Sequence, residues 1–188
     1  MLSTTDAIVL SLQPYSDKAH VLHAYTRASG RVNYKVYGLG RKNTAGKYNP
    51  LSLIQITGDD RSVRTAHLTF VPATITSDPY KRTIALFISE VLYHVLRHPM
   101  QDEKMYDFIA DAVQQLDEIS EPQNFHLSFL IGLAEQLGFK MEKTPVLPTT
   151  RKARQKQLQV LCAYFEEHVE TWQNPKSLDV LMEVFDEK

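Results

Sequence analysis

The sequence predicts an α+β protein, an N-terminal five-stranded β-barrel followed by an α-helical bundle, and two observations predict it. Apolar side chains recur with period two through the first 78 residues and with period 3.6 from Asp78 onward. Turn-forming residues also cut the first region into five short runs, "DAIVLSLQ", "AHVLHAYTR", "GRVNYKVYG", "PLSLIQIT" and "SVRTAHLTF", each rich in β-branched and aromatic residues. The separators "PYSD", "ASG" and "GDDR" are short enough to join antiparallel neighbours, and Ser29-Gly30 marks a hairpin that sets the register of the second and third strands.

The helices follow in order. Asp78 is a good N-cap with Pro79 at the first helical position, and Ile84, Phe87, Ile88, Val91 and Val95 share one face before Pro99 intervenes. A second helix fits 102–118, with Met105, Phe108, Ile109, Ala112 and Leu116 inward. A third fits 122–137, carries Phe125, Phe129, Leu130, Leu133 and Leu137, and stops at Gly138, a suitable residue just past a helix end. "TPVLPTT" is a connector, a fourth helix runs from Thr150 towards Trp172, and a short fifth after Asn174-Pro175 turns Leu178, Leu181 and Phe185 inward. The expected domains are therefore 1–78 and 79–188.

Composition narrows the function. The 188 residues are 43% hydrophobic and 23% charged, an ordinary globular balance. No apolar run approaches the roughly 18 residues of a membrane span, and "MLSTTDAIVLSLQPY" lacks a basic leader and a small-residue cleavage site, so a cytoplasmic protein without membrane contact is expected. Cys162 is the single cysteine, which excludes an intrachain disulfide and a four-cysteine zinc site. Residues 1–78 hold nine Lys and Arg against five Asp and Glu, a balance of +4, whereas 79–188 hold twelve against seventeen, or −5. Basic character is concentrated in the barrel.

Alternation sorts the barrel's side chains. With Leu22, Ala24 and Thr26 inward, Tyr25 and Arg27 point out; with Val32, Tyr34 and Val36 inward, Arg31, Lys35 and Tyr37 point out. Rings on which bases can stack, set beside cations that neutralise phosphate, suit single-stranded nucleic acid, and the five-stranded OB barrel uses strands two and three for this. The glycine-rich "GLGRKNTAGK" that follows adds Arg41, Lys42 and Lys47 to the same expected DNA-binding surface. The plain alternatives are that the tyrosines close the barrel end and that the loop is merely solvated.

Catalytic readings are poorly supported. His94 and His98 are four apart, but no third ligand or intervening Glu accompanies them. Asp59-Asp60 reads as a turn, Cys162 as core, and no G-x-S-x-G or P-loop occurs, so no catalytic residue, metal or cofactor is expected. Arg151, Lys152, Arg154 and Lys156 gather at a helix start, where cations oppose the helix dipole; they are either a solvated face or a contact for phosphate or an acidic protein tail. Trp172 is expected in the core, with partner docking as the alternative.

"AIVLSLQPYSDKAHVLHAYTRASGRVNYKVYGLGRK", "PLSLIQI", "DPYKRTIALFISEVLYHVLR" and "NFHLSFLIGLAEQLGF" resemble, in order and spacing, the bacterial recombination mediator family RecO over about residues 1–140. The resemblance implies an OB domain followed by a helical domain, often with a zinc-binding cysteine cluster, which the lone Cys162 does not supply. It also implies a non-enzymatic DNA repair activity in the cytoplasm at the nucleoid. Members bind single- and double-stranded DNA, anneal strands, engage the acidic C-terminal tail of the single-strand DNA-binding protein, and with RecR help load RecA. A protein-interaction adaptor that has lost DNA loading and an RNA-binding OB protein are the alternatives.

Overall fold

The computed structural model describes residues 2–39, 46–139 and 146–184. Five strands form in the expected places, β1 (Ser3–Ser16), β2 (Ala19–Thr26), β3 (Gly30–Tyr37), β4 (Leu53–Gly58) and β5 (Val63–Leu68), paired in the order β3-β2-β1-β4-β5. All four neighbouring pairs are antiparallel, and β1 is central, with Ala7 opposite Thr26 on one side and Ile54 on the other. The sheet curls until its edges meet. Lys35 N donates to Arg61 O at 2.7 Å, and a parallel bridge joins Lys35 to Ser62, bringing β3 to the head of β5 as an OB barrel requires. Alternate residues fill the interior, with Ala7, Val9, Leu22, Ala24, Ile54 and Ile56 at most 1% exposed.

Two local devices shape this barrel. At the β2–β3 hairpin the buried Thr26 hydroxyl accepts from Ser29 N and donates to Gly30 O. Gly30 has φ +65° and lies against the Met100 backbone, so both its conformation and its surroundings exclude a Cβ. The second device is the length of β1, which continues through Pro14 and Tyr15 instead of ending at Gln13. Register shifts between Val9 and Ser11 and between Pro14 and Ser16 bend it, and its pairing with β4 stops at Ile8. Pro14 is tolerated there because no strand needs its missing N–H.

Five helices follow: α1 (Pro79–Val95), α2 (Glu103–Glu118), α3 (Phe125–Gln136), α4 (Arg151–His168) and α5 (Leu178–Val184). α4 stops short of the expected Trp172. Val169 is extended, and the chain doubles back so that the Trp172 ring stacks on Phe165 with centroids 5.1 Å apart, leaving it 9% exposed. Core burial of this indole therefore ends the helix. Leu181 is buried as expected, whereas Phe185 lies outside the described residues. Glu90 of α1 accepts from Ser177 N at 2.9 Å and Ser177 Oγ at 2.7 Å, tethering the start of α5. Among the described residues no helix is long and apolar enough to cross a membrane.

Contacts gather into two compact units, Met1–Pro72 with Leu96–Asp111, and Ala73–Val95 with Ala112–Lys188. Within the second, Asp117 of α2 organises the connector that leads into α1. Its carboxylate accepts from the backbone N–H of Ala73, Thr74 and Ile75 at 2.8, 2.7 and 2.8 Å. Lys81, 4% exposed, donates to Thr74 Oγ1 at 2.6 Å and to Asp117 O at 2.7 Å. Burial pushes the Asp117 carboxyl upward, but the backbone donors outweigh it and hold the group below its ordinary range.

Candidate nucleic-acid interface

The outer face of β3 presents half-buried Arg31 and exposed Asn33, Lys35 and Tyr37. Tyr37 is 58% exposed, and the prolonged end of β1 brings Tyr15, 64% exposed, into the same neighbourhood. Lys35 Nζ stands 5.4 Å from the Tyr15 ring centroid. Here a cation and an open ring adjoin, the pairing that backbone neutralisation and base stacking need. Asn33 Oδ1 lies 2.6 Å from His23 Nδ1, which as the N–H tautomer donates to it, and it also accepts from Arg31 Nε at 3.4 Å. Burial foremost, aided by Arg31 and opposed by the Asn33 bond, lowers the His23 pKa. At neutral pH the positive charge of this face is therefore carried by Arg31 and Lys35.

The other end of the face is covered. Tyr25, expected as an open stacking ring, is 3% exposed, and its hydroxyl is pushed up to about 12 by burial and by Asp102. Arg27 donates from Nη2 to Asp107 Oδ1 at 2.6 Å and lies 4.3 Å over the Tyr106 ring, so its charge already has a partner. Alternation assigned both residues to the correct side; the segment 96–111 that packs there begins 69 positions after Arg27 in the chain. Lys47 is half-buried and donates from Nζ to Ala66 O of β5 at 2.9 Å, a contact that braces the barrel. Arg41 and Lys42 lie outside the described residues.

Two family models cover most of the chain: "Recombination protein O N terminal" matches residues 1–71 and "Recombination protein O C terminal" matches 76–144. The chain belongs to the RecO family. Among its relatives, a protein of Porphyromonas gingivalis named DNA repair protein RecO is 35% identical over 150 residues, covering 73% of this chain and 61% of that protein. One of Phocaeicola vulgatus, with the same name, is 32% identical over 148 residues, 73% of this chain and 61% of its own length. One of Christiangramia forsetii is 24% identical over 238 aligned positions, 98% of this chain and the whole of the relative. The chain thus matches about three fifths of the first two relatives' length.

In this RecO chain the four cations of α4 do not form one surface. Arg154 is 7% exposed and Arg151 Nη2 donates to Met182 O of α5 at 3.2 Å, whereas Lys152 and Lys156 are exposed. A helix turns 100° per residue, so four cations in six positions must divide between core side and water. Thr150 Oγ1 caps the helix by accepting from Ala153 N at 3.3 Å. The remaining candidates serve the fold. Asp59 Oδ1 accepts from Arg61 N at 3.0 Å and Ser62 N at 2.8 Å, making the β4–β5 turn. Burial drives the Cys162 thiol up to about 11, leaving little thiolate at neutral pH. His98 falls beyond the end of α1 and does not share a helical face with His94. Among the described residues no group of three His, Cys, Asp or Glu side chains could hold a metal ion.

Tyr15 was missed by sequence reasoning. "PYSD" has the composition of a turn, and the one signal to the contrary was that Tyr15 continues the period-two pattern of "IVLSLQ".

Proposed function

We propose that this chain is a DNA repair and homologous recombination mediator that binds single- and double-stranded DNA on the outer face of its barrel. It anneals complementary strands and, with RecR, helps load RecA onto DNA coated by the single-strand DNA-binding protein. The observation that carries the DNA-binding part is the juxtaposition of Arg31, Lys35, Tyr15 and Tyr37 on one side of the barrel. Arg31 and Lys35 neutralise phosphates and release counterions, while the two rings stack with unpaired bases. Duplex offers no open base face and is held by the cations alone. Nothing in this action requires a covalent step.

A salt titration with labelled single strands, DNA and RNA in parallel, tests the reading. Arg31→Ala with Lys35→Ala should reduce the slope of log K against log salt by about 1.4 on single strands. Tyr15→Ala and Tyr37→Ala should each cost about 1–3 kcal/mol of affinity and leave the slope unchanged. An unaltered slope in the folded double variant removes this face from DNA binding, and equal affinity for RNA makes the protein a general single-strand binder.

The acidic tail of the single-strand DNA-binding protein is assigned to the solvent side of α4. Lys152, Lys156 and Val160, the last 60% exposed, follow one another at four-residue spacing and so share a face. Cations followed by an exposed apolar side chain complement an acidic segment that ends in an apolar residue. A tail peptide should bind with micromolar affinity, near −8 kcal/mol. Lys152→Glu with Lys156→Glu should abolish that binding and spare naked single strands; retention of the peptide would place the contact elsewhere.

A further inference from the structure

Within the helical unit a cavity of about 10 Å³ is lined by Arg154, Gln155 and Leu158 of α4, His126 of α3 and Leu181 of α5. That is room for one water-sized particle. Arg154 lines it in an unusual state. Arg154 is 7% exposed, and among the described residues its Nε has no hydrogen-bond partner and no carboxylate lies within 4.0 Å of its guanidinium. A guanidinium cannot shed its proton to escape burial, as a lysine or histidine can. An isolated buried cation is strongly unfavourable unless something of opposite charge joins it. The start of α4 contributes further positive potential, because Arg154 belongs to its first turns.

Water in the cavity would satisfy Nε but supplies no countercharge. Burial, with Arg154 nearby, lowers the His126 pKa to about 3, so the imidazole beside the cavity is neutral, and the cations that line it are Arg154 and Arg151, whose Nη2 already donates to Met182 O. The apolar walls from Leu158 and Leu181 suit a weakly hydrated ion better than a compact, strongly hydrated one.

We propose that this cavity binds one monovalent inorganic anion of halide size, chloride in the cell, against the Arg154 guanidinium, and that the ion helps hold α5 on α4. The same interface already carries Arg151 Nη2 and Gln155 Nε2 donating to Met182 O at 3.2 and 3.3 Å, so an ion at Arg154 completes a row of polar contacts between these helices.

Thermal unfolding of the full chain, titrated with sodium chloride against sodium gluconate at constant ionic strength, tests this. Above half-saturation each tenfold rise in chloride should raise Tm by about 3–5 °C, and bromide should substitute. Arg154→Met, which keeps the length and apolar stem without the charge, should lose the anion dependence; Arg154→Gln serves if the methionine variant does not fold. Crystals grown in bromide should show one anomalous peak beside Arg154 in the wild type. Equal Tm in chloride and gluconate overturns the proposal and leaves a water in the cavity. So does a bromide peak without a saturable Tm response, which marks an adventitious ion only, or an anion response that survives in the folded Arg154 variant.

Discussion

Asp117→Ala should destabilise the helical unit by about 3–5 kcal/mol, read as a lower midpoint in urea unfolding followed by far-ultraviolet circular dichroism. The carboxylate satisfies three consecutive backbone donors, at Ala73, Thr74 and Ile75, and alanine strands all three. Thr74 Oγ1, which contacts the same carboxylate at 3.2 Å, is also an acceptor for Lys81, 4% exposed, so the loss loosens the site of that lysine as well. Asp117→Asn should recover part of the loss, because one amide oxygen can still accept from two of the donors. The carboxyl is held below its ordinary value of 3.8, so its contribution is fully present above that pH and disappears as pH falls through the folded-state value. A wild-type midpoint in the alanine variant would show that the connector holds itself.

Mild acid should weaken the same unit through a different group. His126 is 2% exposed, packs edge-on to Phe87 at 6.2 Å, and has its pKa lowered from 6.5 to about 3, first by burial and then by Arg154 of α4. Between these two values the unfolded chain takes up a proton that the folded chain refuses. Stability is therefore complete above about pH 6.5 and falls by about 1.4 kcal/mol per pH unit below it, close to 3 kcal/mol by pH 4. His126→Leu should flatten that dependence between pH 6.5 and 4. If wild type and variant lose stability in parallel, the imidazole is already protonated when folded, and its burial is not what resists acid.

Periodicity was sufficient for the architecture because the barrel interior and the helix faces are local patterns. Leu22, Ala24 and Val36 had to point inward once β2 and β3 were recognised, and Lys35 and Tyr37 had to point out. What periodicity could not convey is which outward residues remain in contact with water. Tyr25 and Arg27 are covered by residues 96–111, a segment that belongs to another part of the sequence and was read as helical bundle alone. Tyr15 was hidden by turn-like neighbours, since whether "PYSD" turns or extends depends on the bulges that let β1 run on beside β2. Arg154 was read with Lys152 and Lys156 because charge suggests exposure; its burial follows from the position of α5, to which no local pattern points.

The central place of β1 also sets an order of events during synthesis. Its pairing with β2 begins at Ser16 and Ala19, and β2 returns to β3 through the Thr26–Gly30 hairpin, so that meander is complete within 37 residues. The opposite edge of β1 waits for Ile54, 47 positions after Ala7, and for the β4–β5 hairpin to follow. At roughly 5–20 residues per second, the nascent chain spends a second or more with an apolar strand edge unpaired. Ala7, Ile8 and Val9 would be the adhesive part of that edge, since all three are fully buried once β4 arrives. Substitutions that delay β4, such as Ile54→Thr, should reduce soluble yield more than their effect on the finished fold would suggest, because they lengthen the time for which that edge can recruit a second chain.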